Sequence, residues 1–313
     1  KGMEYLIARF KQGKQYQEPL KLINKNETAN KIGSSKFLGS LYDPRAGTIN
    51  PLDYCKGLAR SAQEKGAKIY ENSKANKIEI NKGFWEVTVR NCVIKSKYLL
   101  LAMNAYNDIG QEFNSRKFST VYYSQFATRP LNSNERSAIL PNQEGCWDTA
   151  TIMSSFRVDT AGRLILGTMG NSEGYGRLVH RNWAKKKLKD LFPFLPHIDF
   201  NYSWSGKIAM TNDHVPKIVN FQRNALSCFG YSGRGIAPGT LFGKACADAL
   251  LSEDLSKLPI MPTERYEEFF TSQKTIFFEM AAIANNYDKK AIFVNYCIIL
   301  LGMYFYFEVI TLT

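Results

Sequence analysis

The sequence predicts a mixed α/β fold, with α+β character, organised as two domains. A length of 313 residues exceeds that of one typical domain. Helix and strand patterns succeed one another over 50–103, whereas the next hundred or so residues carry mainly long strand patterns. A glycine-rich loop then joins an apolar strand to a helix within 225–251. These three observations carry the prediction.

Composition indicates an ordinary globular protein. Hydrophobic residues are 44% and charged residues 22% of the chain, which excludes a disordered or fibrous protein. The net charge is +13, because 41 Lys and Arg oppose 28 Asp and Glu. The densest basic run, 177–189, has apolar residues at helical spacing and is typical of a solvated helix face. A module that binds nucleic acid or an anionic membrane surface is the alternative, which we favour less because no nucleic-acid motif accompanies the run.

The cysteines and histidines limit the kinds of catalysis that the chain is expected to perform. The six cysteines form no C-x-x-C pair, and the apolar settings of Cys228 and Cys246 indicate buried free thiols of a reducing compartment, the cytoplasm. The three histidines belong to no H-E-x-x-H motif, and no G-x-S-x-G motif occurs. Metal catalysis and Ser-His-Asp hydrolysis are therefore disfavoured.

The two chain ends are unusual. Residues 1–15 read as part of a helix and lack the apolar core of a secretory signal. Residues 291–313 carry one charge, Glu308, and are long enough to span a bilayer. Because Asn295 and Glu308 would be costly in lipid, we prefer a terminal helix or strand to a membrane anchor.

A helix is predicted over residues 50–66. Asn50 can cap it, Pro51 suits its first turn and Gly66 supplies its end. Its apolar positions recur at helical spacing and are expected to form one face: Leu52, Cys55, Leu58, Ala59 and Ala62.

Strands are predicted after this helix. The first is 68–71, and a three-stranded meander follows over 77–96, with a hairpin turn at 81–83. Residues 98–102 form a continuous apolar run, as expected of a strand covered on both faces.

The middle of the chain reads as a second, antiparallel sheet. Long strands are predicted at 119–130, 149–159 and 163–169, and the turn 160–162 joins the last two. The basic helix comes next.

The most informative stretch is a strand, a glycine loop and a helix in succession. Residues 225–229 form the apolar strand, Gly230, Gly233 and Gly235 the loop, and 238–251 the helix. This layout brings backbone N–H groups and the positive end of a helix against an anionic or electron-rich ligand. The order G-x-x-G-x-G is not the dinucleotide fingerprint, so by itself the loop fits a structural turn and a ligand loop equally.

A series of motifs supports the ligand interpretation. In chain order these are 41–52, 73–78, 101–106, 156–167, 204–216 and the glycine loop. Together they resemble the FAD-dependent oxidoreductases of the D-amino-acid oxidase family, which includes glycine and sarcosine oxidases. Among its branches, the gamma-glutamylputrescine oxidoreductases are most alike. The resemblance covers roughly residues 36 to 252.

This resemblance implies a two-domain D-amino-acid-oxidase-like fold, in which an FAD-binding layer accompanies an antiparallel substrate domain. The family's N-terminal strand–GxGxxG–helix unit does not occur in the sequence, so we expect an N-terminally truncated FAD-binding layer. Strands 98–102 and 225–229 are expected to share one sheet. The expected parts are a helical segment packed on the substrate domain (1–40), FAD-binding parts (41–108 and 209–262), the substrate domain (109–208) and C-terminal helices and tail (263–313).

The resemblance also implies a reaction. The cofactor would be FAD, and the CH–NH bond of an amine or amino acid would be oxidised by hydride transfer to the flavin, followed by imine hydrolysis and release of peroxide. The partner is thus a small-molecule amine, not nucleic acid or membrane. A non-catalytic remnant unable to hold FAD is the alternative.

Candidate FAD contacts follow from the motifs: Ala75 at the adenine end, and Gly230, Ser232, Gly233, Arg234, Gly235, Ile236 and Ala237 at the flavin ring. The helix after the loop would stabilise negative charge at the ring. Arg234, where many relatives carry His, could add a full charge.

The residues that would contact the substrate are less well defined by the sequence. Arg157 or Arg163 could clamp a carboxylate, although hairpin arginines are more often solvated. Tyr122, Tyr123 and Tyr231 could line an amine pocket, although such aromatic residues more often pack in a core. No catalytic residue is predicted.

Overall fold

The protein is described here by a computed structural model that covers residues 1–106, 118–196 and 198–287. Its helices are α1 (Gly2–Gln15), α2 (Lys25–Ile32), α3 (Pro51–Glu64), α4 (Ser133–Ala138), α5 (Arg177–Leu191), α6 (Ile236–Ser252) and α7 (Thr271–Tyr287). Short 3₁₀ helices occupy Asn104–Tyr106 and Leu255–Lys257.

The strands are β1 (Lys21–Asn24), β2 (Gly39–Tyr42), β3 (Ala75–Asn81), β4 (Phe84–Val89), β5 (Cys92–Ser96), β6 (Leu99–Leu101), β7 (Ser119–Pro130), β8 (Cys146–Trp147), β9 (Ser154–Val158), β10 (Arg163–Met169), β11 (Phe200–Met210), β12 (Lys217–Gln222) and β13 (Ala225–Phe229).

The chain divides into two compact units. The first holds 1–50, 122–206 and, of the described chain, 279–287; the second holds 207–278 and the described part of 51–121.

The first unit contains a five-stranded sheet in the order β11-β7-β10-β9-β8. Strand β10 is antiparallel to both β7 and β9, so Leu166 lies opposite Phe126 on one side and Phe156 on the other. These three side chains are at most 2% exposed and share a core with Trp183 of α5. The predicted hairpin is confirmed, with Gly162 at φ +79° in its turn.

The second unit contains two three-stranded sheets. In one, β6 is parallel to β13 and β13 is antiparallel to β12. The expectation that strands 98–102 and 225–229 share a sheet is therefore confirmed. The other sheet is the predicted meander β3-β4-β5, with its turn at Lys82 and Gly83. Helix α6 packs on β13 through Phe242 and Cys246.

Two sequence predictions of local structure are wrong. Residues 68–71 form no strand, because Ile69 and Tyr70 are exposed and pair with no neighbour among the described residues. Residues 1–40 are not wholly helical: β1 follows α1 and pairs with β2. Strand pairing depends on distant residues, which helical spacing cannot reveal.

Two predicted apolar faces are less buried than expected. Leu52 and Leu58 of α3 are 60% and 48% exposed, and no residue of α3 is buried. Leu178 of α5 is also exposed, whereas Trp183, Leu188 and Leu191 are buried as predicted. The amphipathic pattern therefore predicts the helices, but not whether a face is covered.

None of the helices described here is long and apolar enough to cross a membrane. The prediction for 291–313 lies outside the described residues.

Candidate functional site

The glycine loop, residues 230–235, connects β13 to α6 in the second unit. Gly230 and Gly233 have φ of +79° and +85°, a conformation that side chains disfavour, and Ser232 adopts it as well. Gly235 differs, because its φ is −85°. A side chain would therefore be strained by the backbone at position 233 but not at position 235. A Cβ at Gly235 would meet only Tyr231, at 3.5 Å.

Two segments, at Asn104 and at residues 209–211, hold this loop in place. The side-chain oxygen of Asn104 accepts the N–H of Gly230 at 3.0 Å. Ser232 donates its N–H to the Ala209 carbonyl at 3.1 Å, and its hydroxyl accepts the Thr211 N–H at 3.3 Å. A Cβ on Gly230 would approach the Thr211 methyl to 2.5 Å, so only glycine fits there without a shift.

The loop ends at a helix N-terminus that lacks a side-chain cap. Gly235 is the N-cap residue of α6, and residues 233–237 are exposed. The first N–H groups of a helix have no partner within the helix, and they carry the positive end of its dipole. The candidate residues Arg234, Ile236 and Ala237 lie here. Exposed N–H groups at a helix N-terminus are donors of the kind that the electron-rich edge of a flavin would need.

Ala75, the candidate at the adenine end, begins β3. It packs with Met103 against the small core that contains Leu101 of β6. Asn104, which binds Gly230, follows directly in sequence. Because β6 and β13 are parallel, their carboxyl ends lie at the same edge of the sheet. The glycine loop thus lies at the edge at which α/β sheets bind ligands, and contact of Ala75 with the cofactor stays a prediction.

Tyr231, in contrast, is directed into the core of its unit. Its ring lies 5.9 Å from that of Phe242, and it packs against the core cluster that contains Cys228. Substrate contact by Tyr231 stays a prediction, and so does that by Tyr122.

The five-stranded sheet of the first unit presents polar side chains opposite its core. We call these residues the polar face: Tyr123, Gln125, Ser155, Arg157 and Gly167. Gly167 of β10 lies between Gln125 of β7 and Ser155 of β9. Alternate residues of the same strands, such as Phe126 and Phe156, fill the core, so the polar face follows from the strand period of two.

Gly167 permits the close packing of this face. A Cβ there would meet the Tyr123 ring at 2.6 Å, the Ser155 hydroxyl at 2.7 Å and the Gln125 amide nitrogen at 2.9 Å. Tyr123 donates its hydroxyl to Ser155 at 2.9 Å, and burial raises the pKa of Tyr123 to about 12. The buried side-chain amide oxygen of Gln125, Oε1, has no hydrogen-bond partner among the described residues. Glycine within a strand often marks such close approach, a signal that our sequence analysis passed over.

The two candidate arginines differ in their surroundings. Arg163 donates to Asp159 at 3.4 Å and lies over the Tyr202 ring at 5.3 Å. Arg157 is half-buried, and in the described chain its guanidinium has no hydrogen bond or ion pair. Burial, the main cause, lowers the pKa of Arg157. Arg157 is therefore the arginine that a carboxylate could neutralise.

Residues 211–216, between β11 and β12, form a turn. The carboxylate of Asp213 accepts the Val215 N–H at 3.0 Å and pairs with Lys217. Asp213 therefore caps this turn.

Sequence comparison identifies related proteins. A family model described as FAD dependent oxidoreductase matches residues 1–249. Probable oxidoreductase OrdL of Haemophilus influenzae is 28% identical over 239 residues, which are 75% of this chain and 54% of that protein. Gamma-glutamylputrescine oxidoreductase of Escherichia coli is 27% identical over 236 residues, which are 74% of this chain and 54% of that protein. The chain thus spans about half the length of these curated relatives.

Solved structures share the fold. Glycine oxidase from Geobacillus kaustophilus has a TM-score of 0.65 at 18% identity, over 80% of this chain and 68% of that one. A fructosyl peptide oxidase has a TM-score of 0.70 at 11% identity, over 88% of this chain and 74% of that one. These likenesses confirm the predicted D-amino-acid-oxidase-like fold. Since the family model covers well over half of the sequence, the chain belongs to the family of FAD-dependent oxidoreductases.

Proposed function

We propose that this chain supplies the flavin-ring site and the substrate sheet of an oxidoreductase that acts on the CH–NH bond of an amine or amino acid. The observation that carries the proposal is the glycine loop, which ends at an uncapped helix beside the carboxyl ends of β6 and β13. Its presence in a member of an FAD-dependent family supports FAD as the ligand.

The chain's own residues would position the cofactor and stabilise charge on it. When bound, the flavin supplies the acceptor for a hydride from the substrate carbon. The N–H groups of Ile236 and Ala237 and the dipole of α6 would stabilise negative charge on the ring, and Arg234 would add a positive charge. Asn104 and Thr211 would keep the loop in its binding conformation. Ala75 would contact the adenine end.

The polar face would recognise the substrate. Arg157 would bind a carboxylate, since its charge is half-buried and has no described partner. Tyr123 stays protonated at neutral pH and would remain a hydrogen-bond donor. Glycine and gamma-glutamylputrescine, the substrates in two relatives' names, each combine an amine with a carboxylate. We therefore favour an amino-acid-like amine.

The basic-module alternative receives less support from the structure. Arg181 and Lys185 of α5 both pair with Asp199, at 3.0 and 3.1 Å. Lys187 pairs with Asp148 at 2.8 Å. Much of the positive charge of α5 is therefore balanced locally, whereas phosphate binding needs unpaired cations.

Flavin binding by the 313-residue chain tests the proposal. Riboflavin carries the isoalloxazine ring without the diphosphate, so quenching of its fluorescence reports the ring site alone. We expect measurable riboflavin binding but only weak FAD binding, because the diphosphate fingerprint that would hold the rest of FAD does not occur in this sequence. Gly235→Val should weaken binding at least about tenfold, or 1.4 kcal/mol, while thermal stability is kept, since φ there is ordinary.

Gly243→Val is the matched control for this test. Gly243 lies further along α6, and a Cβ there meets nothing within 4 Å. Arg234→Ala should weaken riboflavin binding less than Gly235→Val does. The proposal fails if the protein changes the fluorescence of neither riboflavin nor FAD. That result would favour the non-catalytic remnant. Equal binding by the Gly235→Val and Gly243→Val variants would show that the ring lies elsewhere.

A further inference from the structure

An exposed tryptophan, Trp147, lies beside the polar face and has no role in the proposed function. It is the second residue of β8, which is an edge strand of the five-stranded sheet. Its side chain is 68% exposed, whereas tryptophan is highly buried on average in folded proteins. An aromatic ring of this size is therefore open to a ligand.

Strand pairing places the Trp147 side chain on the same side of the sheet as the polar face. Trp147 lies directly opposite Ser155 of β9, and Ser155 lies opposite Gly167 of β10. Residues that lie opposite each other in paired strands project to the same side. The neighbouring Cys146 lies opposite Phe156 and packs, as Phe156 does, on the core side. Trp147 therefore extends the polar face by one strand.

The residue after Trp147 fixes its position in the sheet. Asp148 donates its N–H to the Ser154 carbonyl at 2.9 Å, and its carboxylate accepts the Ser154 N–H at 3.0 Å. The same carboxylate pairs with Lys187 at 2.8 Å, and the two charged side chains are only 11% and 17% exposed. Trp147 thus stands between a residue that packs on the core and a mostly buried ion pair, so its exposed ring has a defined place beside β9.

Arg157 is the charged neighbour of this ring. It lies two residues after Ser155 on β9 and is therefore diagonal to Trp147. Side chains in that relation are about 7 Å apart, within reach of long and aromatic groups. The face of an indole ring attracts an ammonium group, and a guanidinium binds a carboxylate. One carbon separates these two groups in an α-amino acid, so the two side chains fit both charges of one such molecule.

We propose that Trp147 is a specificity-determining residue that binds the ammonium group of an α-amino acid, while Arg157 binds its carboxylate. The inference rests on the proposed function, in which the polar face recognises the substrate. It narrows the substrate class from amines in general to amino acids whose two charged groups are one carbon apart. A simple monoamine would engage Trp147 without Arg157.

Calorimetry with small probes on the 313-residue chain tests this assignment. Glycine carries both charged groups, whereas acetate lacks the ammonium group. Trimethylglycine keeps the positive charge, but its nitrogen donates no hydrogen bond, so its binding reports the ring face. Trp147→Leu should weaken the binding of glycine and of trimethylglycine about fivefold. Acetate binding should stay unchanged because Arg157 is kept, and Trp147→Phe should retain most of the glycine affinity because an aromatic face is kept.

Trp204→Leu is the matched control, since Trp204 is also exposed, at 41%, but lies on β11 at the opposite edge of the same sheet. The proposal is overturned if the unmodified chain binds no glycine, or if the Trp147→Leu and Trp204→Leu variants bind it equally. A parallel loss of acetate binding in Trp147→Leu would also overturn it. Riboflavin quenching keeps the two conclusions apart: a chain that binds glycine through Trp147 but no riboflavin retains this inference and loses the proposed flavin site.

Discussion

The side-chain oxygen of Asn104 accepts the backbone N–H of Gly230 at 3.0 Å, across 126 positions of sequence. This bond joins the first residue of the short 3₁₀ helix that follows β6 to the first residue of the glycine loop. Both residues have positive φ, 45° for Asn104 and 79° for Gly230. The loop conformation therefore depends on a contact between the two segments that follow the parallel strands β6 and β13.

Asn104→Ala should loosen the start of the loop. Removal of the acceptor leaves the Gly230 N–H without its partner, at a cost of about 1 kcal/mol. We expect faster amide hydrogen exchange at Gly230, measured by mass spectrometry of the loop peptide. Asn72→Ala is the control, because Asn72 also has positive φ but lies in an exposed turn. Equal exchange in the two variants would contradict the role assigned to the bond.

Gly230→Ala should destabilise the second unit more than strain alone explains. The new methyl would meet the Thr211 side chain at 2.5 Å in addition to adopting φ +79°. Gly83→Ala has the same strain at φ +82° but nothing within 4 Å. We expect Gly230→Ala to cost about 2 kcal/mol more than Gly83→Ala in chemical unfolding. A difference near zero would mean that Thr211 moves aside freely.

Asp148 should make stability depend on pH in the acid range. Burial raises its pKa, but hydrogen bonds from Lys187 and Ser154 outweigh burial and lower it below 3.8. A carboxyl whose pKa is lower in the folded state stabilises the fold above its unfolded pKa, and this stabilisation is lost as the pH falls through the folded value. Unfolding free energy should therefore decline below about pH 4, less steeply in Asp148→Asn.

At neutral pH, Asp148→Asn should lower the free energy of unfolding by about 2 kcal/mol, because Lys187 loses its buried counter-charge. Asp248→Asn is the control, since its pair with Lys244 is exposed. If both variants show the same stability and the same pH profile, the Asp148–Lys187 pair is energetically equivalent to a surface pair.

Arg157 and Arg163 should respond oppositely to substitution by methionine. Arg157→Met removes a half-buried charge without a described partner, so thermal stability should stay or rise. Arg163→Met removes contacts to Asp159 and Tyr202, so stability should fall. Binding of glycine, measured by calorimetry, should weaken about tenfold or more in Arg157→Met only. Unchanged binding in that variant would remove Arg157 from the substrate site.

Local sequence patterns determined most of the elements around the candidate site. Alternation and turn residues predict the meander β3-β4-β5 and the hairpin of β9 and β10, because a strand period of two and a tight turn depend on neighbouring residues. The apolar strand, the glycines and the helix likewise predict the loop between β13 and α6. Helix α6 begins two residues before the predicted start at Pro238, since the glycine loop lets the first turn form early.

Only the tertiary structure decided which residues of these elements meet. Asn104 binds Gly230, Gly167 lies close to Tyr123 and Gln125, and Tyr231 packs against Phe242. The structure also shows that the two arginines differ. Arg157 lacks a described partner, whereas Arg163 pairs with Asp159. Contacts of this kind depend on strand order and register, which bring together residues far apart in sequence. Local spacing carries no information on such pairings, and for that reason the sequence predicted the elements of the site but not its contacts.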